Sequence, residues 1–191
     1  VHLKLIEDEG LMLLFIRTVM DFDTFSIITN NLVEKNLSIR DAKVIELNDG
    51  SCIYNFYMDT PKGDAYDIEN KVDSLINNLS LTLEKKQVAK KKKFKLSRRL
   101  RSFKTKTKVS FLVDHIHKRT VLEMVSIDRP GLLVDISEVL RRNNIWIESA
   151  KIATIGERAE DVFYLRNEYQ DSIPIETINK LESELIESLD Y

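Results

Sequence analysis

The chain has 191 residues, 43% hydrophobic and 31% charged, with a net charge of −2, enough for one large or two small domains that each bury a core. No run approaches the roughly 18 uninterrupted apolar residues of a transmembrane helix, and the start at Val1 carries no basic–apolar–small signal pattern, so the chain reads as a cytoplasmic piece of something longer. Cys52 is the single cysteine, which excludes an internal disulfide and fits a reduced core thiol.

Val1–Ile6 alternates as a short strand before an acidic turn at Glu7-Asp8-Glu9-Gly10. Leu11–Val19 is a buried-strand run, and Asp21 or Asp23 is placed to cap the helix after it. Phe25, Ile28, Leu32 and Val33 share one face of that helix, and Asn36 stands where a left-handed terminal residue is expected. Ser38–Leu47 and Ser51–Met58 read as strands joined by a turn with an Asp49-Gly50 hairpin signal. Pro61, Gly63 and Asp64 break the pattern before a helix striped by Ile68, Val72, Leu75, Ile76, Leu79 and Leu83.

From Lys85 to Lys108 there are 13 Lys or Arg and no acid, leaving the rest of the chain at a net −15. Such a block, interleaved with Phe94 and Phe103, reads as a connection lying on acidic protein surface rather than a nucleic-acid site, which remains the alternative. Thr107–Val113 is a further strand and Asp114–Lys118 a polar turn. Taken in order, the elements describe an α+β, ferredoxin-like βαββαβ domain with helices on one face of an antiparallel sheet, its fourth strand being 107–113.

The pattern then restarts. A shift of 108 superposes Ile28 on Ile136, Leu32 on Leu140, Asn36 on Asn144 and Ala42-Lys43 on Ala150-Lys151; beyond the hairpin a shift of 107 places Phe56 on Phe163. A duplicated domain follows. The second copy has a strand at Thr120–Ile127, a helix from Pro130 to about Arg142, strands near Ile147–Ile155 and Asp161–Leu165, and a last helix starting at Pro174. The expected organisation is a leading strand and turn in 1–10, a first domain in 11–84, a basic linker in 85–106 and a second domain in 119–191. No strand is left to close the second sheet, and Val1–Ile6 is the candidate to fill that place or to pair beside the first sheet. Loss of 1–6 would then destabilise the second copy.

Catalytic patterns are lacking. The five glycines form no phosphate loop, the serines have no nucleophile-elbow context, and His115 and His117 have only Asp114 nearby as a further metal ligand. The informative stretch is Asp128-Arg129-Pro130-Gly131-Leu132-Leu133, where an apolar run gives way to a helical period. Proline at a first helical position presets φ, and glycine permits close approach to backbone. A strand turning so tightly into a helix aims first-turn amides at one small volume, which suits a small carboxylate-bearing ligand. The alternative is a plain strand-to-helix connection in which Asp128 only caps the helix.

The strings IDRPGLL and SAKIATIGERAEDVFYL closely resemble the second ACT domain of the bifunctional uridylyltransferase/uridylyl-removing enzymes that modify the PII nitrogen-signalling protein. LRSFKTKTKVSF with Arg119–Glu123 resembles the segment joining that family's two ACT domains, and NLSIRDAKVIELNDG resembles the first more loosely. The resemblance implies tandem ferredoxin-like ACT domains at the regulatory, glutamine-sensing end of a longer enzyme. That enzyme's catalytic domains use Mg and UTP, whereas this chain would hold no cofactor and do no catalysis. The implied partners are L-glutamine, the PII protein and the catalytic domains of the same chain, with a second copy of the chain a further candidate and no membrane. ACT domains hold an amino acid between the strand-to-helix turn of one copy and the start of the second strand of another. Carried over, the site spans Ser126, Ile127, Asp128, Arg129, Pro130, Gly131, Leu132 and Leu133, with Trp146 where Asn is common and Ser38 as partner from the first copy. The first copy's own turn reads Met20-Asp21-Phe22-Asp23-Thr24-Phe25 and lacks both Pro and Gly. An ACT pair that binds nothing and serves as a scaffold is the rival reading.

Overall fold

The computed structural model describes residues 2–8, 11–19, 21–59, 65–86 and 106–190, which divide into one unit within residues 1–90 and a second within 91–191. The first unit contains β1 (His2–Asp8), β2 (Leu11–Val19), α1 (Phe22–Glu34), β3 (Ile39–Glu46), β4 (Ser51–Asp59) and α2 (Ala65–Glu84). Its strands are antiparallel in the order β1-β2-β4-β3. Alternate positions go inward: Met12, Leu14 and Ile16 of β2 and Cys52, Tyr54, Phe56 and Met58 of β4 are all buried. Phe25, Ile28 and Leu32 of α1 and Leu75, Leu79 and Leu83 of α2 cover that face, with the rings of Phe25 and Phe56 5.2 Å apart. Each such side chain contributes roughly 1.5–3 kcal/mol on burial. Asp21 is the cap, its carboxylate accepting from the Asp23 amide at 2.8 Å.

The second unit repeats the plan with β5 (Lys108–Asp114), β6 (Arg119–Ile127), α3 (Leu132–Arg142), β7 (Trp146–Lys151), β8 (Thr154–Ile155), β9 (Arg158–Arg166) and α4 (Ile175–Leu189). The order is β5-β6-β9-β7, with β8 folded onto β9. Leu122, Met124, Ala159, Phe163 and Leu165 of the sheet meet Ile136, Val139 and Leu140 of α3 and Ile178, Leu181 and Leu185 of α4. Both units have the sheet order and helix placement of ferredoxin-like ACT domains.

The duplication reaches backbone detail. Asn36 and Asn144 have φ of 54° and 55°, and each follows a helix whose closing bond, Leu37 N–H to Leu32 O or Ile145 N–H to Leu140 O, measures 3.0 Å. Ile39/Asp41 and Ile147/Ser149 are matching bulges, 108 residues apart. Ala42 and Ala150, and Phe56 and Phe163, are buried alike.

The strand at 108–114 does not close the first sheet. It pairs with β6 of the second unit from Lys108 opposite Val125 to Asp114 opposite Arg119, and His2–Ile6, the described part of the leading segment, belongs to a strand that pairs with β2. Both are hairpin partners of the strand that follows, so each sheet is closed by a local pairing whose loop-closure entropy is small. In each unit the place held by the last strand of a βαββαβ chain is filled from the front, and β1 supports the first copy, not the second. The domains accordingly extend forward of Leu11 and Arg119 to take in β1 and β5.

Two helix starts also move. Gly131 is the N-cap of α3 at φ 81°, so Pro130 precedes the helix instead of opening it, because a left-handed residue between them breaks the helical run. Pro174 is likewise the extended N-cap of α4. The core of the basic segment, 87–105, and the break at 60–64 lie outside the described residues. No described helix is long and apolar enough to cross a membrane.

Candidate functional site

The site is built where β6 runs out. The Ser126 hydroxyl is buried 3.0 Å from that of Thr107, and Ile127 pairs with Arg158. The Asp128 amide donates to the Glu157 carbonyl at 3.0 Å, and its carboxylate accepts from the Thr154 hydroxyl at 3.0 Å. Arg129 turns inward: its guanidinium donates to Asp135 at 2.6 Å, both side chains 3–4% exposed. This ion pair ties the strand-to-helix turn to the first turn of α3, and breaking either partner would strand a buried charge. Pro130 is exposed, Gly131 and Leu132 are buried, and Leu133 is half-buried. Gly131 makes no side-chain cap, so the first turn of α3 carries no capping carboxylate or hydroxyl from its own N-cap.

Beside this turn lies a residue outside the predicted site. Asp161 of β9 is 1% exposed; Oδ1 accepts from the Ala153 amide at 3.3 Å, and Oδ2 meets no hydrogen-bond donor among the described residues. Burial pushes its carboxyl up to about 7, and the Asp128 carboxylate adds to the rise against the opposing Ala153 amide. Asp128 and Asp161 thus hold the adjacent residues Thr154 and Ala153 at the entry to β8.

The corresponding turn of the first unit is filled from within. Shifts of 108 for the turn and 107 for the strand place Asp21 on Arg129, Thr24 on Leu132 and Tyr54 on Asp161, and the sheet registers agree, since Tyr54 faces Ile16 as Asp161 faces Met124. Tyr54 is 2% exposed, and its hydroxyl is hydrogen-bonded to the Thr24 side chain and the Asp21 backbone; burial pushes its phenol up. Lys86 donates to the Asp21 carboxylate at 2.6 Å.

The remaining predicted residues lie elsewhere. Trp146 opens β7 opposite Arg166, at the far end of the second sheet from Ile127 and Arg158. Seven residues of strand separate the two ends, roughly 25 Å. The second unit therefore does not bring Trp146 to its own turn. Ser38 is exposed in the first unit, its carbonyl accepting from the Asp59 amide at 3.1 Å. Met20 lies outside the described residues. His117 is spent on Asp114 at 2.8 Å within a surface turn, and no group of three metal-ligating side chains occurs among the described residues. A depression of about 750 Å³ between His115 and the Asn167–Ile175 loop contains none of the predicted site.

Sequence reasoning missed Asp161, Asp135 and Tyr54. The signal for two of them was present: the shift that aligns Phe56 with Phe163 also sets Tyr54 on Asp161.

No family model matches the chain. It is similar to bifunctional uridylyltransferase/uridylyl-removing enzymes of Photobacterium profundum (36% identity over 162 residues, 85% of this chain and 18% of that protein), Vibrio cholerae (35%, 91% and 20%) and Idiomarina loihiensis (31%, 99% and 22%). Among solved structures, aspartate kinase from Synechocystis matches 93% of this chain and 26% of its own at a TM-score of 0.51 and 14% identity, a likeness of fold alone. The chain spans about a fifth of the length of the curated relatives it matches. With two ACT-type units in tandem and a match running through nearly all of its length, the chain belongs to the bifunctional uridylyltransferase/uridylyl-removing enzyme family, as the counterpart of about one fifth of the length of those relatives.

Proposed function

We propose that this chain is the amino-acid-sensing regulatory region of an enzyme that adds uridylyl groups to the PII protein and removes them, and that its ligand is L-glutamine. The observation that carries the reading is the turn of the second unit: a left-handed Gly131 at an N-cap with no side-chain cap, at the end of a buried strand, in a family member that carries no catalytic motif of its own. Helix-start amides and the positive end of the helix dipole favour the α-carboxylate of such a ligand. Ser126–Leu133 supply the second unit's share of the site, with Trp146 and Ser38 as further candidates.

Regulation then follows as a population shift. Glutamine binds one arrangement of the regulatory region and the cytoplasmic parent enzyme's catalytic domains more tightly than another. Taking a balance from 1:99 to 99:1 needs about 5.5 kcal/mol of differential binding, within reach of a few hydrogen bonds to charged groups at roughly 1.5–3 kcal/mol each. The basic segment is suited to reading domain position against acidic surface.

Isothermal calorimetry with L-glutamine tests this reading. The expected result is millimolar or tighter binding, weakened by Asp128→Ala and abolished by Gly131→Val, whose branched side chain is strained at φ 81°. A scaffold that binds nothing is the second reading, favoured by Trp146 standing where an amide would be wanted. Silence with all twenty amino acids would establish it in place of sensing.

A further inference from the structure

We propose that Asp161 is the seat for the ammonium group of the amino-acid ligand, and that the first unit has no such seat because Tyr54 occupies the equivalent place. This inference rests on the amino-acid-sensing reading and adds to it the residue that would select an α-amino group.

The argument comes from the two copies. In the first, the side chain at this position of the third sheet strand reaches the strand-to-helix turn, since the Tyr54 hydroxyl is hydrogen-bonded to Thr24 and to the Asp21 backbone. The side chain at that position is therefore aimed at the turn. In the second copy the same position, fixed by the register opposite Met124, carries Asp161, shorter than tyrosine by a whole ring. Asp161 meets the neighbouring loop through Oδ1 at the Ala153 amide, while the enclosed Oδ2 finds no donor among the described residues. A buried carboxylate oxygen without a donor is costly. A small zwitterion resolves the mismatch: its carboxylate lies at the first turn of α3 and its ammonium between Asp161 and Asp128, the other carboxylate close enough to raise the Asp161 carboxyl. The first copy needs no such cation, because Lys86 already delivers an ammonium to Asp21 and Tyr54 closes the gap.

Binding has a proton balance. Near neutrality the Asp161 carboxyl, at about 7, is partly protonated. An incoming ammonium favours the carboxylate, so up to one proton leaves to solvent per ligand bound, and no bond is made or broken in the ligand.

The test is calorimetry at pH 8 on the whole chain, with L-glutamine and with 4-carbamoylbutanoate, which lacks the amine. The expected result is one glutamine per chain, a loss of roughly 10- to 100-fold with the amine-free analogue, and a similar loss for glutamine with Asp161→Asn, which then discriminates less between the two ligands than the unmodified chain does. Asp161→Asn binding glutamine as tightly as the unmodified chain overturns the seat while leaving sensing intact. Two glutamines per chain overturns the claim that Tyr54 fills the first unit. No binding of any amino acid overturns sensing and the seat together. Should Asp161→Asn fail to fold, carboxyl-carbon NMR on the unmodified chain decides: saturating glutamine is expected to lower the Asp161 titration midpoint, and an unmoved midpoint overturns the proposal.

Discussion

The two units share a backbone plan down to a left-handed asparagine and a matching bulge, yet they part company at one turn. In the first unit the turn is capped by Asp21, met by Lys86 and touched by Tyr54, so its polar groups find partners inside the unit. In the second, glycine stands at the cap, Arg129 two residues before it is drawn to the helix by Asp135, and a buried aspartate has one oxygen with no donor among the described residues. Duplication made two equivalent places; substitution finished one and left the other open. The difference teaches that a polar mismatch in one repeat is best judged against what its sibling does at the same position.

The comparison is broken most forcefully by removing a closing strand. Deleting residues 2–8 exposes the β2 edge and is expected to unfold the first unit, with the second retaining its protection in hydrogen exchange. Equal loss of protection in both units would contradict the assignment of β1 to the first.

A smaller effect separates the turns by pH. The Asp161 carboxyl sits at about 7 in the folded chain against an ordinary 3.8, so the folded state holds more protons between those limits. Stability should therefore be fully retained below about pH 4 and fall as pH rises through 7, by at most about 4 kcal/mol. Asp161→Asn should flatten that fall in urea titrations from pH 4 to 8; an unchanged pH profile would show that Asp161 is not the group responsible. Tyr54→Phe probes the sealed turn. It removes the phenol's hydrogen bonds and should cost about 1 kcal/mol in the first unit, seen as a lower urea midpoint with the slope unchanged. The smallest effect tests the sameness of the copies: Asn36→Gly and Asn144→Gly relieve left-handed strain equally and should shift stability by the same few tenths of a kcal/mol. Unequal shifts would mean that the two helix ends are not equivalent.

Much of this was legible in the chain. Apolar stripes through Ile28 and Leu32, repeated at Ile136 and Leu140, declared two helices of one kind, and Asp49-Gly50 declared a hairpin whose Gly50 has φ 77°. The closing strands were harder, because a strand's own pattern says which face is buried but not which of two sheet edges it will meet. Their ownership is set by the hairpin turn to the following strand, a nearest-neighbour effect that counting strands from the first helix conceals. Pro130-Gly131 marked the turn, but only the backbone shows that the glycine's left-handed φ delays the helix to Leu132. Asp161 hides in an acidic run, Glu160-Asp161, that reads as solvated. Its parity with Phe163, two residues on and fully buried, is what sends it inward.

The closing strand's place at the front of each unit bears on how the protein is made. As the chain leaves the ribosome, the edge strand of the first unit emerges before anything that needs it, so the sheet is complete once β4 has emerged and the core once α2 has followed. A unit that waited for a trailing strand would pass through synthesis with an open edge, the state most exposed to pairing with a neighbouring nascent chain. Here each half can fold during translation and be finished before the next begins.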